Sequence, residues 1–273
     1  MPGIGVFIPC YNVEKTIRAV FNSFSPAILA RVDEIVAVDN LSRDNTLPTL
    51  QELQAAPDLG AKLTIITNSA NYGLGGSQKI AYQYFLGRGF SHFMVIHGDD
   101  QGNAGEVAGL FLDALDKDPG LDLVLASRFH TEADTSGYSG LRRAGNSFFN
   151  FLTWLLTGHR MSDAGTGIML VRTGLLKQIP FSALTNSFQF NPQLNILMFN
   201  LKNLKTREVP LNWRDSPAGS NIRSAQYCWT LLRILVLYRI NKSVLGKQGG
   251  QLFNGGGQEF RPEFGIERRQ RNS

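Results

Sequence analysis

Alternating strand-like and helix-like segments predict an α/β fold with a mostly parallel central sheet and helices on both faces. Short apolar runs rich in Val, Ile and Leu recur along the chain, and helical patterns separate them. These runs are apolar on both faces, which is typical of strands buried on both sides. The 273 residues are 43% hydrophobic and 18% charged, a composition typical of folded globular proteins.

The predicted elements follow in order along the chain. Strands are predicted over residues 4–8, 34–38, 63–67, 93–97 and 122–126. Helices are predicted between them over 13–24, 46–55, 76–87 and 104–115. The pattern then becomes less regular, with a helix over 141–156, a strand over 167–171, a helix over 192–201 and a strand over 205–213.

The chain divides into three parts by composition. Residues 1–225 form one large domain, 226–240 form an apolar or amphipathic helix, and the Gly- and Arg-rich residues 241–273 are expected to be a mobile tail. The helix is too short to span a bilayer but apolar enough to lie on one, with Arg233 and Arg239 reaching anionic head groups. The alternative is an ordinary core helix packed on the sheet. The 141–156 helix carries aromatic side chains that could likewise face either lipid or the protein core: Phe148, Phe149, Phe151 and Trp154.

Charge and cysteine content narrow the function classes. The net charge is +5 and the pI about 9.3, so an anionic partner is plausible, but no nucleic-acid-binding motif is present. Cys10 and Cys228 are too few for a disulfide framework or a cysteine zinc site. With no basic segment at the N-terminus and no long apolar run, we expect a cytoplasmic chain without a spanning helix.

The end of the fourth strand carries a cluster of potential metal ligands. His97, Asp99, Asp100 and Gln101 follow the apolar run at 93–96. In open α/β sheets ligands bind at the carboxyl ends of the strands, and this donor set suits a divalent cation carrying a diphosphate. For His97 the alternative is a core histidine whose hydrogen bonds are satisfied by protein groups.

Two further strand ends carry polar residues. Pro9 stops ladder pairing after the first strand, and Tyr11 with Asn12 can face a base or ribose, although Asn12 also suits a helix cap. Asp39 ends the second strand and could accept hydrogen bonds from a nucleotide, whereas Asp44 is expected to cap the next helix.

A glycine-rich turn follows the third strand. Its sequence from Asn71 through Gly73 to Lys79 matches neither a Walker loop nor the Rossmann fingerprint. Such a turn either packs closely against the sheet or lets its backbone and Lys79 approach a phosphorylated ligand.

Together these segments resemble the family 2 glycosyltransferases of GT-A fold, in particular their polyprenyl-phosphate, dolichyl-phosphate mannosyltransferase-like branch. Pro-x-Tyr-Asn, Val-Asp-[Asp/Asn]-x-Ser-x-Asp-x-Thr and Asn-x-Gly-x-Gly all match, in order, and the resemblance covers roughly residues 4 to 225. It implies the nucleotide-diphospho-sugar transferase fold. By this resemblance the nucleotide-sugar site comprises Pro9, Tyr11, Asn12, Asp39, Asn71, Gly73, Lys79 and Asp99.

The resemblance also implies a metal site and an acceptor site. His97, Asp99 and Gln101 would hold manganese or magnesium, with His97 where the family usually has an aspartate. Ser127, Arg128, Arg142 and Arg143 would contact the acceptor phosphate, and Asp99, Arg128 and Asp163 would be the catalytic residues. For Arg142 and Arg143 the alternative is surface charge at a helix start. Asn221 replaces a family lysine near the diphosphate, and Arg214 or Arg223 could supply that charge.

The implied reaction is an inverting, metal-dependent hexosyl transfer from a nucleotide-diphosphate sugar. A sugar-hydroxyl acceptor needs a general base, yet residues 188–193 contain no carboxylate where many relatives supply one. A phosphate monoester is already anionic, so we expect a polyprenyl-phosphate acceptor, with Asp163 left open as a base. The enzyme would be peripheral on the inner face of the membrane. Alternatives are a transferase acting on a sugar hydroxyl in cell-surface polysaccharide synthesis and a degenerate nucleotide-sugar-binding module.

Overall fold

The structure, a computed structural model, describes residues 3–214, 224–253, 260 and 262–268. The strands are β1 (Ile4–Cys10), β2 (Glu34–Asp39), β3 (Leu63–Asn68), β4 (His92–Val95), β5 (Leu123–Ser127), β6 (Met169–Arg172), β7 (Thr206–Pro210) and β8 (Phe264–Arg268). The helices are α1 (Ile17–Asn22), α2 (Pro26–Arg31), α3 (Thr46–Ala55), α4 (Pro57–Gly60), α5 (Gly73–Arg88), α6 (Ala104–Lys117), α7 (Gly140–Thr157), α8 (Thr173–Leu176), α9 (Phe190–Phe199) and α10 (Ser224–Ser243).

The eight strands form one sheet in the order β7-β5-β6-β4-β1-β2-β3-β8. β1 pairs in parallel with β2 and β4, and β3 continues the parallel set beside β2. β6 runs antiparallel between β4 and β5, which brings the start of β6 to the carboxyl ends of its neighbours. The mostly parallel α/β architecture predicted from the sequence is therefore confirmed.

Two hydrophobic cores lie on opposite faces of the sheet because side chains alternate along each strand. In β1, Phe7 packs with α5 and α7 to α10, whereas Val6 and Ile8 pack with α1, α3 and α6. β2 divides in the same way, with Val36 on the first face and Ile35 on the second. Burial on both faces explains why these strands are almost continuously apolar.

Several element boundaries differ from the sequence predictions. The predicted helix over 13–24 begins only at Ile17 and ends at Asn22, and a separate helix follows from Pro26. Residues 13 to 16 instead form a turn, with hydrogen bonds from Thr16 N and Ile17 N to Val13 O. β4 ends at Val95, which leaves His97 in the following loop rather than in the strand.

Part of the predicted mobile tail forms regular secondary structure. α10 continues to Ser243, a short 3-10 helix covers Gly249–Phe253, and β8 pairs antiparallel with β3. β8 supplies hydrogen-bond partners along Leu63–Asn68, which would otherwise be a sheet edge with unpaired backbone groups.

α10 is buried on one side and exposed on the other. Leu231, Leu235 and Tyr238 are buried in the core, whereas Trp229 and Ile240 are exposed on the opposite side. Within the described residues, no helix combines the length and the apolar character needed to cross a bilayer.

Candidate active site

The loops that follow β1, β2, β3, β4 and β5 converge at the carboxyl edge of the sheet. The loop that precedes β6 joins them there because β6 is antiparallel to its neighbours. The topology therefore gathers the candidate residues that the sequence placed at successive strand ends, as expected for a ligand site in an open α/β sheet.

Asn12 connects the first two loops. Its backbone has a positive φ of 54°, its N–H donates to Ser42 Oγ at 3.0 Å, and its Oδ1 accepts from Arg43 N at 2.8 Å. The predicted cap role is wrong, since Thr16 occupies the N-cap of α1. Pro9 lies at the end of β1, and Tyr11 is exposed beside these loops.

Asp44 holds the same pair of loops together. Its carboxylate accepts hydrogen bonds from Glu14 N at 3.1 Å and from Thr46 N at 3.0 Å. Asp44 was predicted to be the N-cap of α3, but the N-cap is Asn45. Asp44 therefore lies one residue before the N-cap. Burial raises the pKa of Asp44, but these hydrogen bonds outweigh it and the pKa is lowered.

Asp39 is buried at the end of β2 with one carboxylate oxygen unused. Oδ2 accepts from Ser42 N at 3.3 Å, whereas Oδ1 is sealed from solvent without a hydrogen-bond partner among the described residues. Burial raises the pKa of this carboxyl group. An unsatisfied buried acceptor is costly, and a ligand N–H or O–H would satisfy it.

Three asparagines, two of which the sequence analysis did not single out, join the ends of β2 and β3 to the glycine-rich turn. Asn68 Nδ2 donates to Asn40 Oδ1, and Asn40 Nδ2 donates to Asn71 Oδ1, both at 2.8 Å. Asn71 Oδ1 also accepts from Gly73 N at 2.9 Å. The sequence did contain a signal for this network, namely an asparagine near the end of each of the two strands and in the turn. An asparagine amide can both donate and accept hydrogen bonds, so it can link neighbouring loops.

The glycine-rich turn is shaped by close packing against the segment before α9. A Cβ at Gly73, whose φ is +72°, would lie 2.4 Å from Asn186 O, and one at Gly75 would lie 2.6 Å from Thr185 O. Gly75 N donates to Asn186 O at 2.8 Å. Of the two possibilities for these glycines, the structure supports close packing.

Lys79 is buried and hydrogen-bonded to the segment before α9. It is only 1% exposed, and its ammonium donates to Leu184 O and, at 2.6 Å, to Asn186 Oδ1. The ring of Phe260 lies 4.9 Å from Nζ. Burial lowers the pKa of Lys79 to about 8. Its hydrogen bonds hold the 184–186 segment, and its assignment to nucleotide binding stays a prediction.

The loop after β4 is fixed from both sides. Thr16 Oγ1 donates to Gly98 O at 2.8 Å, Asp99 Oδ1 accepts from Gln101 N at 3.3 Å, and Gln101 O accepts from Arg214 N at 2.9 Å. Asp100 points outward with a positive φ of 55°. Burial and the neighbouring Asp99 charge raise the pKa of Asp100, and Arg214 opposes them. The last contact brings Arg214, a candidate diphosphate ligand, beside the predicted metal loop.

His97 faces the loop before β6 and has an unsatisfied nitrogen. Its Nε2 is sealed without a hydrogen-bond partner in the described structure and lies 3.1 Å from where a Cβ of Gly167 would be. Burial lowers the pKa of His97, which Asp99 opposes. Among the described residues, Nε2 therefore lacks the hydrogen bond that a satisfied core histidine would make there.

The donor set fits a cation that the substrate helps to bind. No group of three His, Cys, Asp or Glu side chains in the described part of the chain is arranged to hold a metal. Asp99 and Gln101 still offer oxygen donors, and magnesium in diphosphate sites is bound through one or two carboxylates together with phosphate oxygens and waters.

Arg128 and Asp163 form a buried bidentate ion pair. Arg128 Nε donates to Asp163 Oδ2 and Nη2 donates to Oδ1, each at 2.8 Å, and Arg128 N adds a third hydrogen bond at 3.2 Å. Asp163 is 2% exposed, and the guanidinium lies between the rings of Tyr138 and Trp213. Burial lowers the pKa of Arg128, but Asp163 outweighs it and raises the pKa overall.

This pairing bears on the predicted catalytic and acceptor-phosphate roles of Arg128 and Asp163, which stay predictions. Both carboxylate oxygens of Asp163 accept hydrogen bonds from Arg128, which does not leave a general base poised for an incoming hydroxyl. The two edges of the guanidinium that bind Asp163 are likewise not available to an acceptor phosphate. Only Nη1 points elsewhere, and it lies 3.4 Å from Tyr138 Oη.

The remaining acceptor-site candidates lie around the start of α7. Arg142 and Arg143 are exposed in its first turn, and Asn146 Nδ2 donates to Tyr138 Oη. Ser127 is buried, and its Oγ accepts from Ser162 Oγ at 2.6 Å. Asn221 and Arg223 lie outside the described residues.

Comparison with known proteins supplies the family. The family model for glycosyl transferase family 2 matches residues 5–180, well over half of the chain. A UDP-N-acetylglucosamine–dolichyl-phosphate N-acetylglucosaminyltransferase of Methanococcus voltae is 24% identical over 183 residues, covering 64% of this chain and 71% of that protein. An uncharacterized protein of Methanocaldococcus jannaschii is 22% identical over 208 residues, covering 76% and 80%.

Solved structures confirm the fold. Glucosyl-3-phosphoglycerate synthase of Mycobacterium tuberculosis, crystallised with UDP, superimposes with a TM-score of 0.64 at 17% identity, covering 86% of this chain and 79% of that one. The same enzyme with Mn²⁺, UDP and phosphoglyceric acid also gives a TM-score of 0.64, covering 87% and 78%. Such likeness at low identity shows a shared GT-A architecture. With the family model matching most of the sheet, the chain belongs to glycosyl transferase family 2 and is a glycosyltransferase.

Proposed function

We propose that this glycosyltransferase transfers a sugar, with inversion, from a nucleotide-diphosphate sugar to a polyprenyl phosphate. The observation that carries the acceptor class is the engagement of Asp163 by Arg128. Residues 188–193 contain no carboxylate. With Asp163 bound to Arg128, neither position considered for a general base has a carboxylate poised to accept a proton from a hydroxyl. An anionic phosphate acceptor needs no such base, whereas a sugar hydroxyl does. The relative named for dolichyl phosphate supports the same acceptor class.

On the donor side, we assign nucleotide binding to the loops after β1, β2 and β3. Asp39 Oδ1, buried and unpartnered in the described structure, is the acceptor for a ligand donor group. We place Pro9, Tyr11 and Asn12 at the border of the same site. Asn71 joins them because it accepts hydrogen bonds from Asn40, the neighbour of Asp39, and from Gly73 N.

A divalent cation, manganese or magnesium, fits beside Asp99 and Gln101. When bound, it neutralises charge on the departing diphosphate. His97 completes the proposed ligand set if its unsatisfied Nε2 turns toward the cation. Arg214, held by its backbone at Gln101, adds positive charge at the same loop.

On the acceptor side, Arg142 and Arg143 are the groups that we assign to the acceptor phosphate. Both are exposed near the mouth of the site, whereas Arg128 is neutralised by Asp163. We assign Arg128 and Asp163 to shaping this wall of the site, with Ser127 hydrogen-bonded behind them through Ser162.

The decisive experiment measures release of nucleoside diphosphate from a panel of nucleotide sugars, with manganese or magnesium, in the presence and absence of polyprenyl phosphate. Stimulation by polyprenyl phosphate supports the proposal. Stimulation only by oligosaccharide acceptors would favour the alternative transferase acting on a sugar hydroxyl. Donor binding without release under any condition would identify a degenerate binding module.

We also propose that the enzyme works as a peripheral protein on the inner membrane face. α7 and α10 pack on each other. We name their exposed apolar side chains the α7–α10 apolar face. Its members are exposed apolar side chains of the two helices: Leu141, Phe148, Phe151, Trp154, Leu155, Trp229, Val236 and Ile240. An apolar surface of this kind marks an interaction site.

Charge favours an anionic lipid surface as the partner of this face. Neither helix contains an acidic residue, and the two helices carry four arginines: Arg142, Arg143, Arg233 and Arg239. Basic residues around a partly apolar helical face are typical of interfacial binding. The same face would bring Arg142 and Arg143 to the lipid phosphate.

Vesicle sedimentation tests this surface. Trp154→Ser combined with Trp229→Ser should lower the bound fraction on anionic vesicles at least about fivefold, because two interfacial aromatics are lost. Ile266→Ser, an exposed apolar residue on β8, is the matched control and should bind like the unaltered protein. Equal binding of the double variant would refute the membrane assignment of this face.

A further inference from the structure

The last strand of the sheet returns the chain to the donor half of the site. β8 runs antiparallel to β3 with Phe264 opposite Asn68, so the residues just before β8 lie at the carboxyl end of β3. There they meet the glycine-rich turn that begins α5. We call Phe260, Glu263 and β8 the C-terminal strap.

The backbone of Glu263 is hydrogen-bonded to the loop between β3 and α5 at two points. Ser69 N and Ser69 Oγ both donate to Glu263 O, at 3.1 and 3.0 Å. Glu263 N donates to Tyr72 Oη at 3.1 Å, and Tyr72 is the N-cap residue of α5. The strap therefore fixes this loop both where it leaves β3 and where it enters the helix.

The ring of Phe260 packs against the start of α5. Its centroid lies 5.7 Å from that of Tyr72 in an edge-to-face arrangement, which is favourable for aromatic pairs. Lys79 Nζ lies 4.9 Å from the Phe260 centroid, and a Cβ at Gly76 would lie 3.4 Å from its Cζ. Positions 72, 76 and 79 have the spacing of one helix face, so a single side chain of the strap covers that face of the turn.

Tyr72 connects the strap to the proposed nucleotide residues. Tyr72 N donates to Asn40 Oδ1 at 2.9 Å, and the same oxygen accepts from Asn68 Nδ2 at 2.8 Å. Asn40 follows Asp39, whose buried Oδ1 has no hydrogen-bond partner among the described residues. A displacement of Tyr72 would therefore disturb the network beside the acceptor that we assign to the donor nucleotide.

We infer that the C-terminal strap positions the glycine-rich turn for the nucleotide-sugar donor, with Phe260 and Tyr72 as positioning residues. A turn that is already ordered costs less entropy to fix when the ligand binds. The effect on donor binding rests on the proposed function, whereas the ordering of the turn by the strap does not.

Hydrogen exchange of the ligand-free, full-length chain tests the ordering of the turn. The backbone N–H groups of Tyr72, Gly75 and Gly76 are all hydrogen-bonded, and they should exchange at least about fivefold faster in Phe260→Leu, because local opening becomes easier without the ring. The matched control is Ile266→Ala, which shortens an exposed apolar side chain of the same strap. It should leave these rates within about twofold of the unaltered protein.

Donor binding is measured in a second arm with a panel of UDP, GDP, ADP and TDP in the presence of manganese. For the nucleotide that binds the unaltered protein, Phe260→Leu should raise Kd about fivefold, because the aromatic contact with Tyr72 is lost. KM for the corresponding nucleotide sugar should rise in parallel while kcat changes less than about twofold. Tyr72→Phe keeps the ring but loses the hydroxyl that meets Glu263, and should raise Kd about two- to threefold.

Unchanged exchange of the turn in Phe260→Leu would overturn the inference. So would faster exchange with an unaltered donor Kd, a lower kcat at constant KM, or an equal effect of Ile266→Ala. If no nucleotide in the panel binds the unaltered protein, the donor assignment fails and the positioning role falls with it. Faster exchange in Phe260→Leu would then still show that the strap orders the turn, which separates the two failures.

Discussion

The two halves of the site differ in how their polar side chains are held. In the donor half, β1 to β3 and their loops, polar side chains tie one loop to the next, as Asn12 and Asp44 do. In the acceptor half, β5 to β7 with α7, α9 and α10, opposite charges are buried against each other and apolar side chains are exposed. We therefore expect substitutions at the buried Arg128–Asp163 pair and at tightly packed positions to act mainly through folding. Substitutions of side chains that face the proposed ligands should act mainly through binding and transfer.

The largest expected effect is on the buried pair of the acceptor half. Asp163→Asn leaves the Arg128 charge buried without its partner and should lower the free energy of unfolding by about 3–5 kcal/mol. Chemical denaturation measures it. Asp116→Asn, which breaks the exposed pair with Arg31, should cost less than about 1 kcal/mol. Unchanged stability with lost transfer would instead make Asp163 a base.

Lys79 allows the packing of the donor half to be tested by pH. Burial lowers its folded-state pKa from 10.5 to about 8, so the unfolded chain binds the proton more tightly. Below pH 8 the buried charge of Lys79 lowers the free energy of unfolding by its full amount. As pH rises from 8 to 10.5, the free energy of unfolding should increase by up to about 3 kcal/mol. Unfolding measured across this window should show the rise, and Lys79→Met should remove it. Lys177→Met, at an exposed lysine, should retain it.

Asp99 tests whether the loop after β4 binds the cation. Asp99→Asn should lower kcat/KM by about 100-fold, or roughly 2.7 kcal/mol, while the melting temperature stays nearly constant. The neighbouring Asp100→Asn is the control, because Asn tolerates the positive φ there and the side chain points outward. A larger loss in Asp100→Asn than in Asp99→Asn would exchange their roles.

The smallest expected effect is at the glycine-rich turn. A Cβ at Gly75 would lie 2.7 Å from Phe190 Cβ, so Gly75→Ala should cost about 1–3 kcal/mol and raise KM for the donor. Gly87→Ala in the same helix meets no atom within 4 Å and should stabilise by about 0.5–1 kcal/mol. If both variants keep the unaltered KM, the turn does not position the donor.

Local sequence patterns were sufficient to predict each strand of the main domain and the loop that follows it. The apolar runs located all seven strands predicted within the main domain, and the residues at their ends meet at one edge because parallel topology requires it. β8 escaped prediction because its formation depends on the open edge of β3, which lies far away in the sequence.

By itself, the sequence determined the α/β class, the family and the loops that line the site. These follow from the alternation of strand-like and helix-like segments and from motifs that are short and local. Only the tertiary structure decided that Arg128 is neutralised by Asp163, that Lys79 points to Leu184 and Asn186, and that α10 is buried on one face and exposed on the other. Each outcome depends on partners 35 or more residues apart or on packing between separate helices. Such distant contacts are set by the geometry of the folded chain rather than by any local pattern.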